Sequence, residues 1–502
     1  MKHLLLAFVA GLVAACGFQP LGLWPLTLGG FAALIWLIGE ASRLKSALAR
    51  GWWFGVGHFT LGLNWIATAF TFQAAMPAWL GWVAVVLLSL YLALYPAVAA
   101  GLAWKYGRVR PIALILWFAA AWIVTEWLRA SLFTGFAWNP AGVALLDAGG
   151  VAGLAKFVGT YGLSGVAMLA AGALLLAVRR AWTSAALLAG PLVVAALLLW
   201  PTAEPPGTIA VRLVQPNISQ TDKWRPGFDE EIIRRLGRLS GAGASEPRLL
   251  LWPEVAVTEP LEDARGHPGL QARVARTRAE VMSMIGSRDL LLTGGMAVNS
   301  RDGLRASGAT NSVYAIDGSR GMLGRYDKAH LVPYGEYLPM RPLLSAIGLS
   351  QLAPGELDQD AGPGPRTLDL PIVGRVGFQL CYEIIFSGEV IDRANRPNFL
   401  FNPSNDAWFG AWGPPQHLAQ ARLRALEEAM PVLRATPTGI SAVIDAHGRI
   451  AASVQPGREA FLDARLPRPA TATLFGRLGN VLPLLFALLL AAGAIAAGRK
   501  AR

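Results

Sequence analysis

The chain has 502 residues, of which 54% are hydrophobic and only 15% are charged, and its formal net charge is +12. This composition is too apolar for an ordinary water-soluble protein and indicates a membrane protein. Basic loops between apolar segments account for most of the positive charge, so nucleic-acid binding is not expected.

Apolar segments, taken in chain order, predict seven membrane spans within residues 1–200 and one more near the C-terminus. A span needs about 20 apolar residues to cross a hydrocarbon core of roughly 30 Å. The stretch 4–39 is too long for one crossing, and GFQPLG at 17–22 can turn the chain, so a helical hairpin is predicted there. The other spans are predicted at 49–71, 77–104, 111–130, 157–178, 183–200 and 481–497.

The N-terminal segment also admits a second interpretation. MKHLLLAFVAGLVAACG has a basic start, an apolar core and small residues before Cys16, as a lipoprotein signal peptide does. We favour a retained first helix, because cleavage before Cys16 would remove half of the hairpin. Cys16 is then a packing residue.

Basic residues predict how the chain crosses the membrane. They fall on one side of the predicted topology, which the positive-inside rule makes cytoplasmic. The segment 201–475 is therefore expected to lie outside the cytoplasmic membrane, followed by a C-terminal transmembrane segment, 476–502. The basic residues concerned are Lys2, Arg43, Lys45, Arg50, Lys105, Arg108, Arg110, Arg179, Arg180, Arg499, Lys500 and Arg502.

The segment 201–475 has the composition and patterning of a globular α/β domain. Helical spacing of apolar residues alternates with strand-like runs, which predicts helices packed outside sheets. Helices are predicted at 228–239, 268–286 and 415–434. Strands are predicted at 208–214, 248–252, 289–296, 311–316, 371–380, 397–401 and 438–444.

Three short segments of this domain contain candidate catalytic residues. LLWPEVAV ends a strand-like run with Glu254, GRYDKAHLVPYGEYLP contains Lys328 and Glu336, and GFQLCYEIIF contains Cys381 and Glu383. A strand end is a common place for reactive groups, because the sheet fixes the side chain and the following loop gives access. Each motif alone is more often a loop, surface or packing feature, but their joint occurrence indicates one site.

The chemistry of a cysteine nucleophile assigns these residues different tasks. The thiol must lose its proton to a base, and the oxyanion formed on attack needs positive charge or hydrogen-bond donors. Glu254 can be the base, Lys328 can hold the oxyanion, and the backbone N–H of Tyr382 can be a second donor. The histidines are scattered and none belongs to a cysteine–histidine motif, so neither a papain-like site nor a metal site is predicted.

The motifs WPE, YDKAHLVPYGEYLP and CYE, followed by NPSNDAWFG at 402–410, resemble the nitrilase, or carbon–nitrogen hydrolase, superfamily. With a multispan bundle before the domain and one span after it, the whole chain resembles the apolipoprotein N-acyltransferase family of bacterial inner membranes. This resemblance implies a membrane α-helical bundle joined to an αββα sandwich in the periplasm. It also implies transfer of a fatty acyl group from a phospholipid, typically phosphatidylethanolamine, to the α-amino group of an S-diacylglyceryl cysteine in an apolipoprotein.

The resemblance assigns roles to residues that match the family motifs. Glu254 would be the general base, Lys328 the oxyanion stabiliser and Cys381 the nucleophile that holds the acyl thioester. Glu336 and Glu383 would support this triad, by orienting the lysine or holding a proton during transfer.

Two tryptophans also resemble family residues placed near the site: Trp224 in TDKWRPG and Trp408 in NDAWFG. Packing in the core or at the membrane interface is an equal alternative to substrate contact for both. No cofactor is expected, and the protein is expected to act as a monomer. Two other functions remain open from the residues: a membrane-tethered amidase with the same triad, and a non-enzymatic transporter or assembly factor with a degenerate domain.

Overall fold

The computed structural model describes residues 1–72, 77–200, 206–241, 246–346 and 359–499. The first five residues predicted for the external domain, 201–205, and the basic residues Lys500 and Arg502 lie outside these ranges. Within them the chain forms a helical N-terminal region, a mixed α/β domain and a final apolar helix.

Helices account for most of the N-terminal region and for part of the α/β domain. They are α1 (Lys2–Ala15), α2 (Trp24–Gly39), α3 (Leu44–Gly62), α4 (Ile66–Ala69), α5 (Leu80–Leu92), α6 (Leu94–Gly107), α7 (Pro111–Ser131), α8 (Ala155–Val178), α9 (Trp182–Leu198), α10 (Gln220–Lys223), α11 (Asp229–Ser240), α12 (Pro268–Ser283), α13 (Arg341–Ala346), α14 (Gly413–Glu428), α15 (Leu474–Leu478) and α16 (Val481–Arg499).

The predicted N-terminal hairpin is confirmed. Helix α1 ends at Ala15 and α2 begins at Trp24, so the turn between them contains the GFQPLG segment. Pro25 lies in the first turn of α2, where the missing N–H costs nothing. Cys16 caps α1 and its thiol lies 3.5 Å from the carbonyl oxygen of Leu12.

Four helical stretches of the described residues are long and apolar enough to cross a membrane: Leu80–Gly107, Pro111–Ser131, Gly149–Val178 and Val481–Arg499. Three shorter apolar helices accompany them: Lys2–Ala15, Trp24–Gly39 and Trp182–Leu198. Each predicted span overlaps a helix, but the number of crossings, eight, stays a prediction.

Two β-sheets form the centre of the α/β domain. The strands are β1 (Ala210–Gln215), β2 (Arg248–Leu251), β3 (Glu262–Asp263), β4 (Asp289–Asn299), β5 (Gly308–Asp317), β6 (Gly321–Asp327), β7 (Thr367–Leu370), β8 (Gly374–Phe378), β9 (Phe399–Pro403), β10 (Val432–Ala435), β11 (Ser441–Ile444), β12 (Ile450–Val454) and β13 (Ala460–Arg465). The first sheet has the order β13-β1-β2-β4-β5-β6, with β3 beside β4, and the second has the order β12-β11-β10-β9-β8-β7.

The two sheets pack face to face over a buried apolar core. Leu251 and Leu292 of the first sheet belong to the same buried cluster as Phe378 and Phe401 of the second. On the outer face of the first sheet, residues of α11 and α12 form another cluster with the strands. Helix α14 covers the outer face of the second sheet, so the layers follow the order helix, sheet, sheet, helix, as the resemblance implied.

Helix α14 also joins the domain to the membrane-type helices. Its residue Leu418 and strand residue Leu400 lie in one buried cluster with Leu163 of α8. The side-chain oxygen of Gln416 accepts hydrogen bonds from Trp138 Nε1 (2.8 Å) and Asn139 Nδ2 (2.9 Å). Helix α14 therefore packs between the second sheet and the helical region and contacts both.

The prediction of one helix over 415–434 was wrong at its end. Helix α14 stops at Glu428, Ala429 adopts a left-handed conformation with φ of 50°, and Val432–Ala435 forms the parallel strand β10. Pro431 explains the break, since a proline interrupts helical hydrogen bonding and restricts the residue before it.

Candidate active site

Glu254 lies in a tight turn directly after β2. The turn passes close to Gly294 of β4, where any added Cβ would overlap the backbone of Pro253, Glu254 and Val255. Glu254 is only 5% exposed, and its Oε1 accepts a hydrogen bond of 2.7 Å from Asn311 Nδ2. The carboxylate is therefore held in one orientation within the domain.

Lys328 follows β6 and is almost completely buried, with 1% of its surface exposed. Its Nζ donates to Glu336 Oε1 at 2.7 Å and lies 3.6 Å from Glu254 Oε1. Burial alone would lower the pKa of Lys328, but the charges of Glu336 and Glu254, with a smaller contribution from Cys381, outweigh it and raise that pKa. Lys328 therefore stays a cation at any physiological pH.

Cys381 begins a short 3₁₀ helix, Cys381–Ile385, at the turn after β8. Its φ of 49° lies in the left-handed region, which is rare for residues other than glycine, asparagine and aspartate. Burial and the charge of Glu254 raise the pKa of the Cys381 thiol well above its usual value, and Lys328 opposes them. The resting group is therefore a thiol that must transfer its proton as it attacks.

Glu336 and Glu383 accept hydrogen bonds from different groups around Lys328 and Cys381. Glu336 binds the ammonium of Lys328 and, through its other oxygen, the backbone N–H of Val332 at 2.8 Å. Glu383 accepts hydrogen bonds from the N–H of Ala329 (2.7 Å), next to Lys328, and from the N–H of Leu380 (2.7 Å), next to Cys381.

Glu383 therefore links the backbone that follows Lys328 to the backbone that precedes Cys381. Burial raises its pKa, although the hydrogen bonds from His330 and Leu380 oppose this. The hydroxyl of Tyr326 also donates to it, at 2.9 Å and 3.0 Å from the two carboxylate oxygens. Glu336 thus contacts the ammonium of Lys328 itself, whereas Glu383 contacts backbone N–H groups next to Lys328 and Cys381.

The two tryptophans lie in different surroundings. Trp224 follows α10 and is 44% exposed. Trp408 lies in the 3₁₀ helix Asp406–Phe409 and packs edge-on against Phe72 of the N-terminal region, with ring centroids 5.5 Å apart. Substrate contact by either residue stays a prediction.

Several residues of the site were missed by the sequence analysis. Asn311 binds Glu254, and its signal was a polar residue in the strand-like run TNSVYA. Lys223 is buried and donates to the backbone oxygen of Glu254 at 3.1 Å. His417, one of the histidines set aside as a base, lies 3.0 Å from the carbonyl oxygen of Cys381 through Nε2, so it contacts the backbone of the candidate nucleophile.

Lys223 adds a second positive charge near the triad. Burial lowers its pKa to about 8, although Glu254 and Cys381 oppose the shift. Its ammonium interacts favourably with a thiolate at Cys381, as that of Lys328 does. No group of three metal-ligand side chains occurs within the described ranges, and the site is built from a thiol, two lysines and carboxylates.

This arrangement can perform acyl transfer through a covalent intermediate. A thiol, a carboxylate that can accept its proton and a permanent cation for a developing oxyanion are the parts that such a reaction needs. The Cys381 thiol interacts electrostatically with both Glu254 and Lys328, so the three groups form one electrostatic unit.

Comparison with known proteins gives matches along most of the chain. The family model "Apolipoprotein N-acyltransferase N-terminal domain" matches residues 10–173, and the model "Carbon-nitrogen hydrolase" matches residues 210–474. The chain is 35% identical to the apolipoprotein N-acyltransferase of Rhodopseudomonas palustris, over 96% of this chain and 92% of that protein. It is 36% identical to that of Caulobacter vibrioides, over 98% and 94%.

Among solved structures, Saccharomyces cerevisiae Nit3, of branch 10 of the nitrilase superfamily, matches 52% of this chain and 90% of its own, with 18% identity and a TM-score of 0.36.

Proposed function

Because the chain belongs to the apolipoprotein N-acyltransferase family, we propose that it acylates the N-terminus of lipoproteins through a thioester on Cys381. The observation that carries this proposal is the position of Lys328, which lies between Glu336 and Glu254 and interacts with the Cys381 thiol. A fixed ammonium at that point suits an oxyanion better than it suits a resting neutral substrate.

The first half-reaction acylates the enzyme. Glu254 takes the thiol proton while Cys381 Sγ attacks the ester carbonyl of a phospholipid. The ammonium of Lys328 and the N–H of Tyr382 stabilise the oxyanion. Collapse of the tetrahedral intermediate breaks the ester C–O bond, and the leaving alkoxide of the lysophospholipid receives the proton from Glu254.

The second half-reaction regenerates the enzyme. The uncharged α-amino group of the lipoprotein's diacylglyceryl cysteine attacks the thioester, and Glu254 accepts one of its protons. The C–S bond then breaks, the amide remains on the lipoprotein, and the Cys381 sulfur recovers its proton. Donor and acceptor thus use one reacting centre in turn, as in a ping-pong reaction.

The donor and the location are part of the same proposal. A phospholipid, phosphatidylethanolamine in particular, and a diacylated lipoprotein both remain in the bilayer, since each buried CH₂ contributes about 0.8 kcal/mol. A catalytic domain attached to its own apolar helices meets both at the membrane surface. We place this domain on the periplasmic side of the inner membrane and expect a monomer to suffice, because the proposed triad comes from a single chain.

Amidase activity is the less favoured function. It would require the same triad but no membrane helices, and the acyltransferase relatives match this chain over both of its parts. Release of the acyl group to water would be its distinguishing product.

The proposal predicts an isolable acyl-enzyme. Purified protein incubated with donor phospholipid and no acceptor should gain the mass of one acyl chain, and neutral hydroxylamine should remove it, because hydroxylamine cleaves thioesters. Addition of a diacylated lipopeptide should also remove it and yield the N-acylated lipopeptide. The measurement is the mass of the intact protein before and after each addition.

The chain offers its own control, since Cys16 and Cys381 are its two cysteines. Cys16→Ala should keep the adduct and the transfer, whereas Cys381→Ala should lose both. Acylation of the lipopeptide by Cys381→Ala at the wild-type rate would contradict the mechanism, and release of free fatty acid in place of transfer would support the amidase.

A further inference from the structure

A cluster of buried charges lies behind the nucleophile, and the mechanism above does not use it. Asp406, His417 and Arg434 are each at most 1% exposed. Arg434 Nη2 contacts both carboxylate oxygens of Asp406, at 2.6 Å and 2.7 Å, and its Nη1 contacts Ser404 Oγ at 2.9 Å. His417 Nδ1 lies 3.0 Å from Asp406 Oδ1 and 3.0 Å from Arg434 Nη2.

The imidazole of His417 connects this cluster to Cys381. Its Nε2 lies 3.0 Å from the carbonyl oxygen of Cys381, and because a carbonyl only accepts, Nε2 must carry the hydrogen. Burial and the charge of Arg434 lower the pKa of His417, while Asp406 opposes them. In a neutral ring Nδ1 accepts from Arg434 Nη2, and in a charged ring it donates to Asp406 Oδ1. In both states Nε2 donates to the carbonyl of Cys381.

The peptide bond between Cys381 and Tyr382 transmits this contact to the active site. The 381–382 peptide bond is trans. In a trans peptide the C=O and the N–H point in opposite directions. Since His417 binds the carbonyl from the buried side, the N–H of Tyr382 points away from the cluster, and it has no hydrogen-bond acceptor elsewhere in the described chain.

The backbone at Cys381 needs such a restraint. Its φ of 49° is unfavourable for a residue with a side chain, and a relaxed turn would rotate the peptide plane. An oxyanion donor is effective only when its N–H already points at the oxygen position before the reaction begins. Rotation of this peptide would therefore weaken the donor without moving the thiol out of the site.

We propose that His417, fixed by Asp406 and Arg434, is a positioning residue that holds the Cys381–Tyr382 peptide so that the N–H of Tyr382 faces the developing oxyanion. The proposal rests on the thioester chemistry proposed above. It differs from a purely structural role, in which the cluster would only stabilise the fold.

The test uses two reactions of the same thiol. Acylation by phospholipid passes through an oxyanion, whereas alkylation by iodoacetamide displaces iodide and forms none. In the full-length protein with Cys16→Ala, both rates at Cys381 are measured by intact mass for His417 variants. His417→Gln can still present an N–H near the Nε2 position, whereas His417→Asn is one methylene shorter and His417→Leu has no donor.

We expect His417→Asn and His417→Leu to slow acylation by about 10- to 100-fold, with alkylation and the KM for the donor lipid within about threefold of the parent. His417→Gln should recover at least part of the acylation rate. Parent-like acylation in the Asn variant, or an equal fall in acylation and alkylation, would overturn the proposal. If His417→Leu does not fold, the Gln and Asn pair makes the same test.

The outcome is separable from that of the proposed function. If the parent protein itself forms no thioester on Cys381, the proposed function fails. If the parent forms it and the three variants form it equally fast, only the positioning role of His417 fails.

Discussion

Two neighbouring carboxylates hold the buried ammonium of Lys328 in place. Glu336 binds its ammonium directly, at 2.7 Å, and Glu254 lies 3.6 Å from it, close enough to attract it. With the lysine paired in this way, Glu254 remains available for the proton transfer proposed above. The lysine acts as a small point charge in a closed space.

Replacing Lys328 by arginine tests that geometry. Arginine keeps the charge, but its planar fork is larger and directs its donors differently, so we expect acyl transfer to fall by at least about 100-fold. Lys45→Arg, at an exposed position, is the matched control and should retain full activity. Transfer of acyl groups to a lipopeptide is the measurement, and turnover of Lys328→Arg near the parent rate would remove Lys328 from the oxyanion role.

The thiol of Cys381 should show its raised pKa directly. Burial and Glu254 raise it, so the thiolate fraction, and with it the rate of iodoacetamide alkylation, should keep increasing above pH 9. Lys223 carries its charge below about pH 8 and stabilises the thiolate there.

Lys223→Met should therefore slow alkylation about three- to tenfold below pH 8, and the difference from the parent should narrow as the pH rises through that value. Both profiles are recorded in a Cys16→Ala background. A plateau in the parent profile below pH 8, or the same difference at every pH, would contradict these assignments.

At the scale of elements, the interruption in α8 determines how the helical region meets the α/β domain. Gly159 has φ of 65° and ψ of −178°, so the helix breaks there. The break leaves the N–H of Thr160 free to donate to Glu427 of α14, and the Thr160 hydroxyl donates to the same oxygen at 2.6 Å. Ser387 Oγ donates to the same oxygen at 2.8 Å. Glu427 therefore also contacts the segment that follows the 3₁₀ helix Cys381–Ile385.

Gly159→Ala should weaken this junction strongly. The new Cβ would overlap the ring of Phe475, and the alanine backbone would have to keep a positive φ. We therefore expect the free energy of unfolding to fall by about 2 kcal/mol or more. Gly29→Ala in α2 is the matched control. Apart from its chain neighbours, no heavy atom lies within 4 Å of the added Cβ there, and alanine is more favourable than glycine in a helix interior by up to about 1 kcal/mol.

The measurement is the temperature at which half of the detergent-solubilised protein loses its fold. Gly159→Ala should lower it by several degrees and Gly29→Ala should leave it unchanged or raise it. Equal midpoints for the two variants would show that the break in α8 does not matter for stability.

At the scale of the whole molecule, one buried apolar cluster includes residues of α2, α7 and α8 together with residues of α14 and of strands β9–β11. The α/β domain is therefore built onto the helical region rather than tethered to it by a linker. This geometry suits an enzyme whose substrates stay in the bilayer.

The orientation of this assembly in the membrane can be tested with reporters. The basic loops predict that the α/β domain faces the periplasm, so a reporter active only in that compartment should function when inserted at the exposed turn 301–305. The same reporter inserted at 179–180 should be inactive. Activity at 179–180 alone would reverse the assignment.

The sequence by itself determined the features that depend on neighbouring residues in the chain. Hydropathy located the N-terminal hairpin and the long apolar helices, because crossing a membrane is a property of one continuous segment. Glu254, Lys328 and Cys381 could be singled out because their three motifs occur together in one domain, and motif resemblance then supplied their predicted roles.

The tertiary structure decided what depends on residues far apart in the chain. The contacts of Glu254 with Asn311 and of Cys381 with His417 join positions 57 and 36 residues apart, and only the pairing of strands and the packing of α14 bring them together. Strand β10 was mistaken for helix because its apolar run follows an amphipathic segment, and its partners are β9 and β11. Local patterns carry no information about such partners, since the free energy of these contacts arises only when separate elements pack.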